Sequence, residues 1–350
     1  LELPNTPVAL ADFDGDGHLD IMIGGYAIVL GDGTGAFSPP VDIPEPDEVP
    51  QLVSFTMVGE FDGQPGIDLL SAGSDGIAVQ LNDGTGTAFG SVVVSEIQEV
   101  NLLDVVRAIR LDLEGDGVHD LLGTNSGAFD SAEPELQPLL NDGSGSFTAT
   151  PPAMSHGEFG ADLVAWVAEL PAVGESGPGA AILGTGNNQP IVDLPIVVAR
   201  ADGAGSAAYT KVDHMGADAR AIAAPDLTGD GVVDLVVWNA GDDAFVVYQG
   251  NASGGFAPLA MLAADSLCPG CPCQSCASPG ASTLLGGDFD GDTKQDFIVR
   301  DSAVWVVLDP LGEASGVWLD DTWPGFIGDF NEDDVDDILT LQGELLISEP

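Results

Sequence analysis

Carboxylates at alternate positions, bracketed by glycine, recur along the chain in six nine-residue segments. Positions 1, 3, 5 and 9 hold Asp12, Asp14, Asp16 and Asp20 in the first, and Glu60, Asp62, Gln64 and Asp68 in the second. The next two carry Asp112, Glu114, Asp116 and Asp120, then Asp226, Thr228, Asp230 and Asp234. The last two carry Asp288, Asp290, Asp292 and Asp296, then Asp329, Asn331, Asp333 and Asp337. Oxygens spaced this way converge when glycine lets the chain turn sharply, and position 7 can add its backbone carbonyl. That position is His18, Gly66, Val118, Val232, Lys294 or Val335. A hard divalent cation is the partner such a set suits: Ca²⁺ takes about 6–8 oxygens at about 2.3–2.6 Å. An EF-hand starts the same way but needs a bidentate Glu at position 12. Here position 12 is Ile23, Ser71, Gly123, Val237, Val299 or Thr340, so the loops are expected between β-strands. Loop two, with Glu60 and Gln64, is expected to bind more weakly than loops one and six, which have four Asp each.

The elements that must position these loops follow from the repeat. First residues are 48, 52, 114, 62 and 41 apart. The gap of 114 is twice 57, so a degenerate copy belongs near residue 169, where Glu169–Leu183 keeps the flanking apolar runs but lacks the acidic pattern. That makes seven units of 50 residues, the fourth expected to hold no metal. In each unit an apolar run precedes the acidic loop, a second follows it, and a third ends at a Gly-rich turn before a fourth. Gly31–Phe37, Asn82–Phe89, Asn141–Phe147, Asp202–Tyr209 and Gly250–Phe256 are such turns. Asp-Gly and Asn-Asp-Gly between apolar runs are hairpin signals. Four short strands per unit with no helical period predict an all-β fold, a seven-bladed β-propeller of four-stranded blades. One domain spans 1–350. The seventh unit is a strand short, and the spare Leu1–Pro4 resembles Val41–Pro44, so the N-terminal strand is expected to complete the last blade and close the ring.

These loops, with an apolar strand before them and Asp-Leu or Asp-Ile at their end, resemble FG-GAP repeats and the related VCBS repeats. The turn Asn141–Phe147 is typical of the latter. The resemblance covers nearly the whole chain. It implies a propeller like the integrin α-subunit head and certain fungal lectins, with calcium between the first two strands of a blade. Members of the family mostly bind proteins or glycans outside the cell.

Charge and composition narrow the partners. Asp and Glu number 57 against 7 Lys and Arg, a formal net charge of −50. Such a chain repels nucleic acid and anionic membranes. The mean hydropathy of +0.20 still allows a sizeable core. No apolar run reaches the ~18 residues of a membrane span. The longest, Leu163–Val173, is broken by Glu169 and Pro171. The chain begins at Leu1, so a signal peptide or anchor is expected to have been removed or left out.

All four cysteines, Cys268, Cys271, Cys273 and Cys276, fall in an insertion at 265–282 between two blades. They read as two disulfides, or alternatively as a four-thiolate zinc or copper site. Calcium loops suit the calcium-rich exterior, which favours disulfides and an extracellular, cell-surface or periplasmic location.

His18, His119, His156 and His214 are scattered and carry no evident chemistry; no hydrolase, Walker or zinc-protease pattern is present. Trp166, Trp238 and Trp305 are expected in the core, while Trp323 falls in a loop between blades where it could meet a ligand. Two long loops, Thr124–Leu136 and Gly184–Leu194, are expected on the face opposite the acidic loops, the side where a protein or glycan ligand would dock. The resulting expectation is a monomeric, non-enzymatic, calcium-binding adhesion or recognition module. The alternatives are a lectin, a carbohydrate-active enzyme of polysaccharide-lyase type, or a purely structural protein; a lyase would need a cationic cleft that seven scattered basic residues do not form.

Overall fold

The computed structural model describes residues 3, 6–24, 27–43, 55–73, 76–97, 105–125, 135–151, 154–155, 163–174, 176–185, 196–215, 219–267, 283–300, 304–319 and 323–348. It consists of seven successive antiparallel meander sheets. Blade one comprises Pro7–Ala11, Asp20–Ile23, Ala27–Val29 and Val41–Asp42. Blade two comprises Phe55–Gly59, Asp68–Gly73, Gly76–Asn82 and Phe89–Ser95. Blade three comprises Val105–Leu111, Asp120–Asn125, Glu135–Asn141 and Phe147–Ala149, with Met154–Ser155 also pairing its third strand. Blade four comprises Leu163–Leu170, Gly179–Thr185, Ile196–Ala201 and Ala207–Val212. Blade five comprises Ala219–Ala223, Leu235–Asn239, Ala244–Gly250 and Phe256–Ala263. Blade six comprises Thr283–Gly287, Asp296–Arg300, Val304–Leu308 and Ser315–Leu319. Blade seven shows three strands among the described residues, Pro324–Gly328, Asp337–Thr340 and Leu345–Leu346.

Of the closing strand expected at Leu1–Pro4 only Leu3 is described, and it is in no strand; the cysteines of 265–282 and most of the two long loops lie outside the described residues. The chain divides into two compact units, Leu1–Asp162 with Ala201–Ala208, and Leu163–Arg200 with Tyr209–Pro350.

Burial explains the strand sequences. Second and third strands are covered on both faces, so they read as continuous apolar runs. Leu235–Asn239 is buried throughout, and Ala244–Gly250 nearly so. Fourth strands are outer edges, and Phe256–Ala263 is mostly open. Within the first unit, Phe61, Leu70, Val79, Leu121 and Phe147 pack between blades two and three. Within the second, Trp238, Phe245, Phe297 and Trp305 pack between blades five and six, so these two tryptophans are core as expected. The side chain of Trp166 lies outside the described residues.

Candidate metal loops

Every acidic loop joins the first strand of its blade to the second, as the ladder pairs Ala11↔Asp20, Gly59↔Asp68, Leu111↔Asp120, Ala223↔Val236, Gly287↔Asp296 and Gly328↔Asp337 show. The ninth-position Asp is the keystone of the turn. In loop one, Asp20 accepts hydrogen bonds from Phe13 N–H at 2.8 Å and, from the end of the third strand, Gly31 N–H at 2.8 Å. Asp68 and Asp120 each accept the corresponding pair. So do Asp296 and Asp337. Asp234 departs only in taking Thr228 N–H instead of the second position's. These six residues are 0–2% exposed.

The first-position carboxylate folds back on its own loop. Asp12 accepts from the N–H groups of Gly15, Asp16 and Gly17, and Asp112 and Asp226 do the same in their loops. Gly15 and Gly17 have φ of 75° and 96°, the left-handed region this wrap requires. Loop seven places Glu332 and Asp334 there instead, at φ 56° and 68°.

Three loops draw carboxylate oxygens together within 4.8 Å: Asp12, Asp14 and Asp20; Glu60, Asp62 and Asp68; Asp288, Asp290 and Asp296. The fifth-position Asp16 and Asp292 lie outside these groups, their Oδ1 atoms accepting from His18 N–H and Lys294 N–H. Loops three, five and seven form no such triplet among the described residues; their third positions are Glu114, Thr228 and Asn331 rather than Asp. Loop two, ranked low by its sequence, belongs geometrically with loops one and six.

The electrostatics suit a cation. Burial, reinforced by the neighbouring carboxylates, pushes Asp20, Asp120 and Asp296 up to about 6 and Asp68 up to about 7. Asp234 and Asp337 are raised for the same reasons. Closely spaced carboxylates in a poorly hydrated place favour the neutral form unless a positive charge joins them. The donor set is all oxygen, which selects hard ions such as Ca²⁺ over thiophilic metals.

Blade four supplies an internal control. Leu170 pairs with Gly179, which places a nine-residue loop at Pro171–Gly179, two residues beyond the start expected from the repeat spacing. It has no Asp. Instead Arg200, 8% exposed, donates from Nη1 to the carbonyls of Pro171 at 2.7 Å and Gly177 at 3.1 Å, positions 1 and 7 of the loop. Here a guanidinium from the third strand bonds the loop's carbonyls. Sequence reading left Arg200 unnoticed; its signal is a basic residue ending an apolar run in the one unit whose loop lacks Asp.

Sequence reading also gave His119 no role. Its Nδ1 accepts from Glu60 N–H at 2.9 Å, and burial lowers its pKa. His214 contacts the Tyr248 hydroxyl at 3.1 Å and Asn239 Oδ1 at 2.9 Å, tying down the strand connection before blade five. Trp323 is 48% exposed, with the Arg300 guanidinium 3.8 Å from its ring centroid. Thr283↔Arg300 and Pro324↔Thr340 put both residues at the strand ends opposite their acidic loops. A separate cleft of about 510 Å³ lies on the loop side of blades five and six, with Lys294, Asp309 and Thr228 beside an apolar wall of Leu227, Leu259 and Leu311.

No protein-family model matches the chain, and no curated protein matches it. Solved structures do. An Agrocybe aegerita lectin, described for its specific recognition of non-reducing terminal N-acetylglucosamine, superposes with a TM-score of 0.62 at 16% identity, covering 90% of this chain and 84% of the lectin. The Dos1 propeller superposes with a TM-score of 0.54 at 12% identity, covering 95% of this chain and 76% of that one. The fold is a seven-bladed β-propeller. No helix among the described residues is long and apolar enough to cross a membrane.

Proposed function

We propose that this protein is a calcium-binding, extracytoplasmic recognition module, a propeller whose acidic loops hold Ca²⁺ and whose opposite face takes a glycan. The observation that carries the reading is the convergence of three carboxylates in each of loops one, two and six, against a guanidinium in the one Asp-free loop. The first-, third- and ninth-position carboxylates would hold the ion, with the seventh-position carbonyl completing the set. Calcium would stiffen the turn between first and second strands and relieve repulsion in a chain of net charge −50. It is structural in this reading and takes no part in chemistry; FG-GAP or VCBS membership fits the same features.

A glycan is favoured over a protein ligand by the N-acetylglucosamine-recognising neighbour and by Trp323. An exposed indole offers an apolar face to a pyranose ring while Arg300 beside it supplies hydrogen-bond donors. The test is a glycan array probed with and without calcium, carrying terminal N-acetylglucosamine among its sugars. Calcium-dependent binding to a defined set of glycans is expected. Binding to none, alongside measurable turnover of a polysaccharide, would replace this reading with the enzymatic one.

A further inference from the structure

Adjacent loops are linked through the eighth position. In loop six, Gln295 Oε1 accepts a hydrogen bond from Asp226 N–H at 2.8 Å, and Gln295 N–H donates to Asp226 C=O at 2.9 Å. Asp226 is the first residue of loop five. In loop seven, Asp336 Oδ2 accepts from Asp288 N–H at 2.9 Å, and its own N–H donates to Asp288 C=O at 2.7 Å. In loop three, His119 Nδ1 accepts from Glu60 N–H at 2.9 Å, and its N–H donates to Glu60 C=O at 2.8 Å. Three chemically different side chains thus make one two-point clasp.

The clasp always grips the first residue of the preceding loop. Glu60 and Asp288 lie just past the last ladder pair of their strands, where N–H and C=O have no partner within the sheet. Bonding both fixes the peptide planes on either side of the Cα, and so the direction in which the carboxylate leaves the backbone. These same two gripped residues belong to loops with converged carboxylates. The eighth residue is itself followed by the buried ninth-position Asp of its own loop, so the clasp ties the closing carboxylate of one loop to the opening carboxylate of its neighbour. Val233, the eighth residue of loop five, follows the Asp-free loop of blade four and has no side chain able to make such a bond. Loop one, followed by Ile67 at the eighth position, keeps a bond that loop two also has: Asn82 Nδ2 donates to Phe13 C=O at 2.8 Å, as Asn141 Nδ2 does to Phe61 C=O at 2.8 Å.

We infer that His119, Gln295 and Asp336 are positioning residues for the metal loop of the preceding blade, coupling loops two and three and, in series, loops five, six and seven. The inference rests on the calcium reading above. Residues that orient metal ligands from behind typically change affinity by about 10–100-fold when lost. A residue that merely supported its own blade would weaken its own loop instead.

Crystals of the full chain soaked in limiting Tb³⁺ report each loop separately through anomalous peak heights. Unaltered protein should fill loops one, two and six. His119→Leu should lower occupancy of loop two about tenfold while loops one and six fill normally. His119→Gln, which installs the group loop six uses, should restore loop two. Should His119→Leu fail to fold, Asp336→Leu makes the same test on loop six against loops one and two. Normal filling of loop two in His119→Leu, or equal loss at all three loops, overturns the inference alone. No terbium at any loop of the unaltered protein overturns the calcium reading and the inference with it.

Discussion

Gly179 and Arg200 sit opposite each other in neighbouring strands of blade four, and the absent side chain of the first makes room for the second. A Cβ on Gly179 would lie 3.2 Å from Arg200 Cδ and 2.2 Å from the Ala199 carbonyl oxygen. The other six units carry a buried Asp at this register position. In blade four the loop that lacks this Asp is thus the one whose carbonyls a guanidinium bonds from within the chain. Arg200→Met should leave the Pro171 and Gly177 carbonyls unpaired and cost about 2–3 kcal/mol, lowering the melting temperature by several degrees. Bound calcium per chain should be unchanged, as equilibrium dialysis would report.

The ninth-position Asp and the third-position Asp have separable roles. Asp296 holds two backbone N–H groups from within the core, whereas Asp290 accepts only the Asp292 N–H at 3.1 Å in an exposed turn. Asp296→Ala should destabilise the protein by about 2–4 kcal/mol even in EDTA, because a buried donor and a half-buried one lose their acceptor. Asp290→Asn should change stability in EDTA by less than about 0.5 kcal/mol, yet reduce the stabilisation that calcium confers. Urea melts of both variants with and without calcium check this.

The pH dependence should reverse with metal. Asp20, Asp120 and Asp296 are pushed up to about 6, and Asp68 to about 7, by burial. Unfolded, each returns to the ordinary carboxyl range near ~3.9. The folded chain therefore binds protons more readily, and the metal-free protein should gain stability as pH falls from about 7.5 to about 5. That gain is complete only below the unfolded range and is lost as pH rises through the folded values of about 6 and about 7. With saturating calcium the slope should have the opposite sign, since protons then compete with the ion. Melting temperatures across this window, in EDTA and in calcium, give both slopes.

Much of this architecture is legible in the sequence because it is periodic. The acidic loop, the Asn-Asp-Gly turn and the apolar runs recur often enough to reveal seven blades and the strands each loop connects. Register in blade four was less legible, since Pro171–Gly179 keeps the loop length without its residue types. The clasps of His119, Gln295 and Asp336 were invisible for a different reason. They join residues 48 to 69 apart, and three unlike side chains share only an acceptor atom. Nor does residue type reveal that the ninth Asp is a backbone clamp; only its two N–H partners do.

Trp323 should matter for recognition and little for folding. It is 48% exposed, and the Arg300 guanidinium lies over its ring. A surface cation–π pair contributes about 0.5–1 kcal/mol, so Trp323→Ala should shift the melting temperature by no more than a few degrees. Glycan binding on an array should fall at least tenfold. Unchanged glycan binding would move the ligand site elsewhere, with the cleft beside Lys294 and Asp309 the next candidate.

The most direct test of the account is calcium titration of metal-stripped protein by calorimetry, followed by thermal melts in EDTA and in millimolar calcium. Loops one, two and six predict at least three bound ions per chain, and the remaining acidic loops raise the ceiling to six. Each site at 100-fold saturation adds about 2.7 kcal/mol, so calcium should raise the melting temperature by many degrees, and Mg²⁺ should do so far less. No heat of binding, with superimposable melts in EDTA and calcium, would contradict the account.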